Sequence, residues 1–249
     1  MKRPLKGHSG CELILKGSIV RKVSSNPEYN IRLVNQANKQ ALYKHDAICT
    51  PAVLDIGEKN GLAYFDMEYI RGVSFADYCN MGDIKTISAM IKKLISFGNC
   101  GLASDPSKKA DFKDNIIVKC KSLSDFPIEI VDSVDWQLPI GSCHGDLTFE
   151  NILVTEGQQL YVIDFLDSYV ESSEIDCSKL MQDTFCSWSY RNKPLVPWHV
   201  LRYLNDALSS RRRYILLLIN LHRILPYTTD GATKIWLENQ IKRTMLKII

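Results

Sequence analysis

Gly141–Ser168 reads GSCHGDLTFENILVTEGQQLYVIDFLDS, and it orders four polar residues, His144, Asp146, Asn151 and Asp164, along one short segment. Asp146 opens an Asp-x-x-x-x-Asn run that closes at Asn151. Ile152-Leu153-Val154 and Leu160-Tyr161-Val162-Ile163 are apolar and β-branched enough for two short strands, with Glu156-Gly157 as the turn between them. Folding that hairpin brings Asn151, before the first strand, next to Asp164, after the second. Moving a phosphoryl group asks for this set: a carboxylate to orient the attacking hydroxyl, and hard oxygen ligands for magnesium. Asp146 suits the first task, and the Asn151 amide oxygen and the Asp164 carboxylate suit the second. Taken singly each residue has a plainer use, His144 as a packed ring, Asn151 in a turn and Asp164 as a strand-end cap. The combination carries the reading.

Composition narrows what surrounds this segment. A chain of 249 residues can bury a large core, in one domain or in two lobes sharing a cleft. A net charge of +3 is too mild to argue for nucleic acid, and no basic stripe or nucleic-acid module is visible. Arg211-Arg212-Arg213 reads as a solvated helix face or, alternatively, a phosphate- or membrane-docking patch. The eight cysteines form no CxxC pair and no zinc-ligand spacing, so they read as buried thiols of a reducing compartment. Cys143, beside the catalytic stretch, is a place where alkylation would inhibit by bulk. MKRPLKGHSG lacks the apolar stretch of a secretory signal, and the apolar run Tyr214–Ile219 is too short for a membrane span. The expectation is a cytoplasmic protein.

Along the chain, CELILKG and SIVRKVS read as strands turning at Lys16-Gly17, after a Gly7-His8-Ser9-Gly10 turn that either forms a hairpin or offers backbone N–H groups to a phosphate. Glu28–His45 has a helical apolar face through Ile31, Val34, Ala37, Ala41 and Leu42, with Asn26 or Asn30 as cap. Ala52–Gly57 and Leu62–Ile70 read as strands joined by Glu58-Lys59-Asn60-Gly61. Past Arg71 the pattern turns helical, so the lobe boundary is placed there, giving 1–71 and 72–249. Helices are expected over Ile84–Phe97, Lys109–Leu123, Ile128–Trp136, Glu174–Phe185, Trp198–Ser209, Tyr214–Leu225 and Thr233–Ile248.

His144-Gly145-Asp146-Leu147 through Asn151-Ile152-Leu153, followed by Ile163-Asp164-Phe165, resembles the aminoglycoside phosphotransferase and choline kinase group of the protein-kinase-like fold. The resemblance implies an α+β fold of two lobes, a small N-terminal lobe with an antiparallel sheet and one helix, and a larger, mostly helical C-terminal lobe. It implies ATP and magnesium, a hydroxyl acceptor on a small molecule or saccharide, Asp146 as the acceptor-facing carboxylate with His144 bracing its loop, and Asn151 and Asp164 on the metal. Gly145 stands where protein kinases usually carry arginine, and Phe165-Leu166 lacks the glycine of Asp-Phe-Gly; both departures point away from a protein substrate.

Further residues follow from the same resemblance. Lys22 matches the strand lysine on the phosphates, with Arg21 its competitor, because a one-residue slip exposes the opposite face of the sheet. Gly7 and Gly10 match a shortened phosphate loop. Met67, Glu68 and Ile70 match the adenine-facing hinge, and Asp176 matches a structural aspartate. The glutamate that normally pairs the lysine is replaced by Gln36 or Gln40. This departure keeps open an inactive, nucleotide-binding scaffold as the alternative.

The acceptor is left open in the sequence. Asp167, Glu171 and Glu174 would suit a cationic acceptor; Lys179, Arg191 and His222 would suit an acidic sugar. Trp188, Tyr190 and Trp198 either stack on a sugar or fill the core. The C-terminal half resembles kinase-like proteins of surface-polysaccharide assembly.

Overall fold

Strict alternation in Leu62–Glu68 buries Ala63, Phe65 and Met67 on one side and turns Tyr64, Asp66 and Glu68 to the other. This strand, β5, lies inside a five-stranded antiparallel sheet, ordered β1-β2-β3-β5-β4, with β1 Leu5–Lys6, β2 Cys11–Lys16, β3 Ile19–Ser24 and β4 Val53–Lys59. The computed structural model describes residues 5–6, 11–45, 47–100 and 107–249. Gly7 and Gly10, read above as a phosphate loop, lie outside them.

Helix α1, Asn30–Leu42, crosses the sheet. It is shorter than its apolar pattern suggests, because Pro27–Tyr29 forms a separate 3₁₀ turn capped by the Asn26 side chain. Leu33 and Ala37 of α1 meet Cys11, Ala63, Phe65 and Met67 in a small core of its own. After α1 the chain docks elsewhere. Cys49 bridges Tyr161, donating its N–H to the Leu160 carbonyl and accepting from Val162 N–H.

The chain leaves the first sheet after Glu68 and enters a second at β6, Gly72–Ser74. There β9, Ile152–Thr155, lies between β6 and β10, Leu160–Val162. Helices α2 Phe75–Met81 and α3 Ile84–Cys100 follow β6. Lys109–Asp111 is a strand, β7, where a helix was expected; it pairs with β8, Gln137–Pro139. Helix α4 starts only at Lys113 and ends at Lys121, and Ile128–Ser133 is 3₁₀ rather than α-helical. The short β7 has no apolar period of its own, and the hydrogen bonds of β8 decide it.

The remaining helices are α5 Ser173–Thr184, α6 Trp198–Leu208, α7 Arg211–Ile224 and α8 Gly231–Met245. All residues of α5 are buried, and α7 is buried continuously from Tyr214 to Leu221, so these two form the middle of the larger core. No described helix is long and apolar enough to cross a membrane. Of the arginines at the start of α7, Arg211 is exposed, but Arg212 and Arg213 are not a solvated face. Arg213 grips the buried Glu174 through Nη2–Oε1 at 2.8 Å and Nε–Oε2 at 3.1 Å, and Arg212 reaches Oε2 at 3.4 Å. Burial raises the Glu174 carboxyl, but the Arg213 and Arg212 guanidiniums hold it below its ordinary value.

Candidate active site

The β9–β10 hairpin assembles the site. Ile152 pairs with Val162, and Ile163 N–H donates to the Asn151 carbonyl at 3.0 Å. The residue before the first strand and the residue after the second therefore sit side by side. Asn151 turns its amide nitrogen inward, donating to the Asp146 carbonyl at 2.8 Å and to Asp146 Oδ2 at 3.2 Å. Its amide oxygen takes part in neither bond. Asp164 stands in the left-handed region at φ 66°, an uncommon conformation for a residue with a side chain.

His144 ties these pieces together from below. Its ring is fully buried; Nε2 donates to the Ile163 carbonyl at 2.8 Å and Nδ1 accepts from Asp146 N–H at 3.2 Å. Burial pulls its pKa down to about 4 against the opposing pull of Asp146 and the Ile163 carbonyl, so the ring is neutral. With both nitrogens occupied by the backbone, His144 braces the loop.

Helix α5 supplies the loop's other anchors. Asp176 accepts from the N–H groups of His144 at 2.8 Å and Gly145 at 2.9 Å. Asp183 accepts from Phe149 N–H at 2.6 Å and Ser189 N–H at 2.7 Å. Between them Lys179, itself buried, pairs with Asp146 Oδ1 at 3.0 Å. Burial raises the Asp146 carboxyl, yet Lys179, with smaller help from His144 and Arg223, keeps it below the ordinary aspartate value and ionised. Asp183 and the pairing of Lys179 with Asp146 were not read from the sequence. Asp176, Lys179 and Asp183 stand at i, i+3 and i+7, one face of a helix, and charges at that spacing amid apolar residues were the available signal.

Opposing pKa shifts set the pH behaviour of this brace. His144 is depressed from 6.5 to about 4, so the stability it contributes is present above its unfolded value and lost as pH falls through the folded one. Asp176 is raised by burial to about 7 despite its two backbone donors, so its contribution is present at low pH and lost as pH rises through that value. Between about pH 4.5 and 6.5 the two slopes oppose. His144→Gln removes one of them, and its urea midpoint is expected to fall as pH rises from about 4.5 to 7, with a smaller change in the wild type.

Lys22 and Arg21 are separated by the register of β3 on β5. Lys22 pairs with Phe65 on the face toward α1, where its buried Nζ lies 2.5 Å from Asp164 Oδ1 and 3.1 Å from Gln36 Oε1. Arg21 faces the other way, binds both oxygens of Asp66 at 2.6 Å and lies 3.7 Å over the Tyr64 ring. Gln36, not Gln40, meets the lysine; Gln40 donates to the Pro51 carbonyl. At the hinge, Met67 faces the small core, and Glu68 N–H is taken by the Ala52 carbonyl at 3.0 Å. Ile70 N–H has no backbone partner among the described residues.

Lys39 adds a tie between α1 and the segment after Asp164. Its Nζ donates to the Leu166 carbonyl at 2.9 Å and pairs with Glu171 Oε1 at 2.8 Å. Cys143 beside it is buried, and burial pushes its thiol well above the usual range. The alkylation by which Cys143 was expected to block the site by bulk therefore meets a buried, protonated thiol. No disulfide links the described cysteines, and Cys49 is the exposed one among them.

The remaining acceptor candidates divide. Glu174 and Glu171 are committed to arginines and Lys39, while Asp167 is exposed. Lys179 is committed to Asp146. Arg191 stacks 4.0 Å over Trp188, and His222 packs against Phe126 at 5.3 Å. Tyr190 is core, with its hydroxyl on the Ala76 carbonyl at 3.1 Å, whereas Trp198 is 61% exposed.

No curated protein sequence matches the chain. Among solved structures, a thermostable variant of aminoglycoside phosphotransferase APH(4)-Ia in ternary complex with AMP-PNP and hygromycin B is similar at 14% identity and a TM-score of 0.67. That alignment covers 98% of this chain and 93% of that one. A putative fructosamine-3-kinase from Haemophilus somnus 129PT gives 14% identity, a TM-score of 0.61 and coverage of 100% and 92%. The gentamicin–APH(2")-IIa complex gives 14%, 0.57, and 99% and 90%. These likenesses confirm the α+β kinase-like fold expected from the sequence. The model of the phosphotransferase enzyme family matches residues 36–190, more than half of the chain and the whole of the segment from Gln36 to Tyr190 that carries the loop, the hairpin and α5, and by that match this protein belongs to the phosphotransferase enzyme family.

Proposed function

We propose that this protein is an ATP- and magnesium-dependent phosphotransferase acting on a hydroxyl of a small molecule or saccharide. The observation that carries the reading is the meeting of Asp146 and Asn151 at 3.2 Å beside an Asp164 held by Lys22 at 2.5 Å. The donor set suits magnesium. Asn151 offers an amide oxygen, and Asp164, with its side chain 36% exposed, offers a carboxylate. Two protein oxygens suffice for an ion that takes its other ligands from phosphates and water.

ATP, when bound, would supply the γ-phosphoryl group, exchanging its bond to the bridging oxygen for one to the acceptor oxygen and leaving ADP, while magnesium on Asn151 and Asp164 would neutralise charge on the phosphates. Asp146 orients the acceptor hydroxyl and takes its proton, which an ionised carboxylate at neutral pH can do. Lys22 gives its charge to the nucleotide phosphates. Ile70 N–H and the Glu68 carbonyl would meet adenine, with Met67 behind them in the small core. Lys179 keeps Asp146 ionised and fixes its rotamer. The similar APH(4)-Ia variant crystallised with AMP-PNP supports the choice of nucleotide.

An inactive scaffold has one feature in its favour, Gln36 in place of a carboxylate. Asp164 answers it by taking the ion-pair role with Lys22. Lys22→Met is expected to lower ADP release about a hundredfold or more and to raise the KM for ATP. Arg21→Met is expected to leave both near wild type and to cost about 1 kcal/mol of stability. ATP binding with no ADP release above background from wild type or Lys22→Met would favour the scaffold.

A further inference from the structure

With the site's obvious charges committed to one another, a different set of polar residues is left uncommitted nearby. Helix α4 presents Asp114, Asn115, Val118 and Lys119 along one face, and together with its C-cap Ser122 and with Tyr169 they line an open cavity of about 360 Å³. The Tyr169 hydroxyl is buried there without a hydrogen-bond partner, which is costly unless a ligand supplies one. Arg223 lies beside it, its guanidinium carbon 5.7 Å from the Tyr169 ring centre.

Arg223 is also linked to the Asp146 loop through α5. Asn220, one turn earlier on α7, donates to Ser178 Oγ at 3.0 Å, and Ser178 precedes the Lys179 that holds Asp146. Arg223 itself has only a long contact, 3.5 Å, to Asn220 Oδ1, and no carboxylate partner among the described residues. Its charge is felt on both sides. It helps to lower Asp146, and after burial it is the chief cause of the lowered Lys119. Lys119 on the cavity wall and Arg223 behind the Tyr169 ring are two cations near one tyrosine, neither paired with a carboxylate among the described residues, and such a pair is stabilised by an anion. Asp114 is the one lining carboxylate, and it lies in the first turn of α4, more than a turn from Lys119.

We propose that the acceptor is an alcohol bearing an anionic group, a phosphorylated or carboxylated polyol or sugar, whose anion sits between Lys119 and Arg223 with the Tyr169 hydroxyl donating to it, while its free hydroxyl reaches Asp146. This rests on the phosphotransferase reading above and names its substrate class. The Asp114 end of the cavity then takes hydroxyls of the acceptor rather than its charge.

The test uses one scaffold in four charge states. Glucose 6-phosphate, glucuronate, glucose and glucosamine are compared as acceptors by ADP release, with glycerol 3-phosphate as a smaller anionic probe. In parallel, the full-length protein saturated with ADP and magnesium is titrated with each while the NMR signals of residues 114–122 and Tyr169 are followed. Anionic probes are expected to perturb those signals and to give the highest kcat/KM; the phosphate and carboxylate arms tell the two sources apart. Arg223→Ala should raise KM for the anionic acceptor, or the dissociation constant in the titration, about tenfold or more, with kcat changed much less, and Arg223→Lys should recover most of the loss. Preference for glucose or glucosamine, or no perturbation by any anionic probe, overturns the proposal. Failure of the phosphotransferase reading shows separately, as absence of ADP binding, and leaves the titration of the nucleotide-free protein to be scored at the same signals.

Discussion

Asp146→Asn is expected to reduce ADP release with the best acceptor about a thousandfold while the protein stays folded. An amide accepts no proton at neutral pH, so the hydroxyl would attack with its proton still attached. The carboxamide oxygen still accepts from Lys179, which keeps the loop in place. What is lost is the anion opposite a buried ammonium, and breaking a buried pair from one side costs a few kcal/mol. Lys179→Met alone should therefore be the less stable of the two variants, because Asp146 Oδ1 loses its 3.0 Å partner within the loop it must organise. The double variant should recover part of that stability and none of the activity. Urea midpoints and initial rates on the three proteins check both statements. Turnover of Asp146→Asn within tenfold of wild type would remove Asp146 from the chemistry.

Gly145→Ala is the second large effect. Gly145 has φ +86°, and a Cβ built on it lies 2.3 Å from the Leu166 carbonyl oxygen. That carbonyl is held in place by Lys39 Nζ, and Leu166 N–H donates to the His144 carbonyl at 3.0 Å. Neither strand of the chain can withdraw without breaking a bond that positions Asp146 or Asp164. Strain and displacement together are expected to cost about 2–4 kcal/mol, a melting point lower by roughly 5–10 °C. The shift of Asp146 should lower turnover about a hundredfold even in the protein that remains folded. Thermal unfolding and single-turnover rates separate the two effects. The smaller side chain of alanine gives no relief relative to serine, because the clash is with Cβ itself.

The glycine has a reading in sequence and a different reason in space. In sequence, Gly145 in place of arginine marked a kinase-like protein with a small substrate. In the structure, the crossing of the 144–146 and 164–166 segments leaves no room for any side chain. The hairpin that unites Asn151 with Asp164 was legible because a strand–turn–strand pattern is local. The choice between Lys22 and Arg21 was not, because alternation is symmetric about a slip of one residue until the partner strand is known. β5 settles it by placing Asp66 opposite Arg21 and Phe65 opposite Lys22.

Long-range charge pairing hid most of what was misread. Arg212 and Arg213 looked solvated because nothing nearby in sequence is acidic; their partner, Glu174, lies on another helix. Lys179 looked available to an acceptor for the same reason. Asp183 had no reading at all, although its distance from Asp176 along α5 places both on the face toward the loop. Lys109–Asp111 was taken for helix because its strand partner is likewise remote in sequence.

The two apolar cores are separate, one beneath the first sheet and one around α5 and α7. Across the cleft between them run Lys22 to Asp164, and Lys39 to Leu166 and Glu171. Widening that gap would wet few hydrocarbon groups, while it would pull two ammonium groups from their oxygens. The ease of breathing should thus follow ionic strength more than temperature, with dissolved salt acting as the lubricant of the hinge.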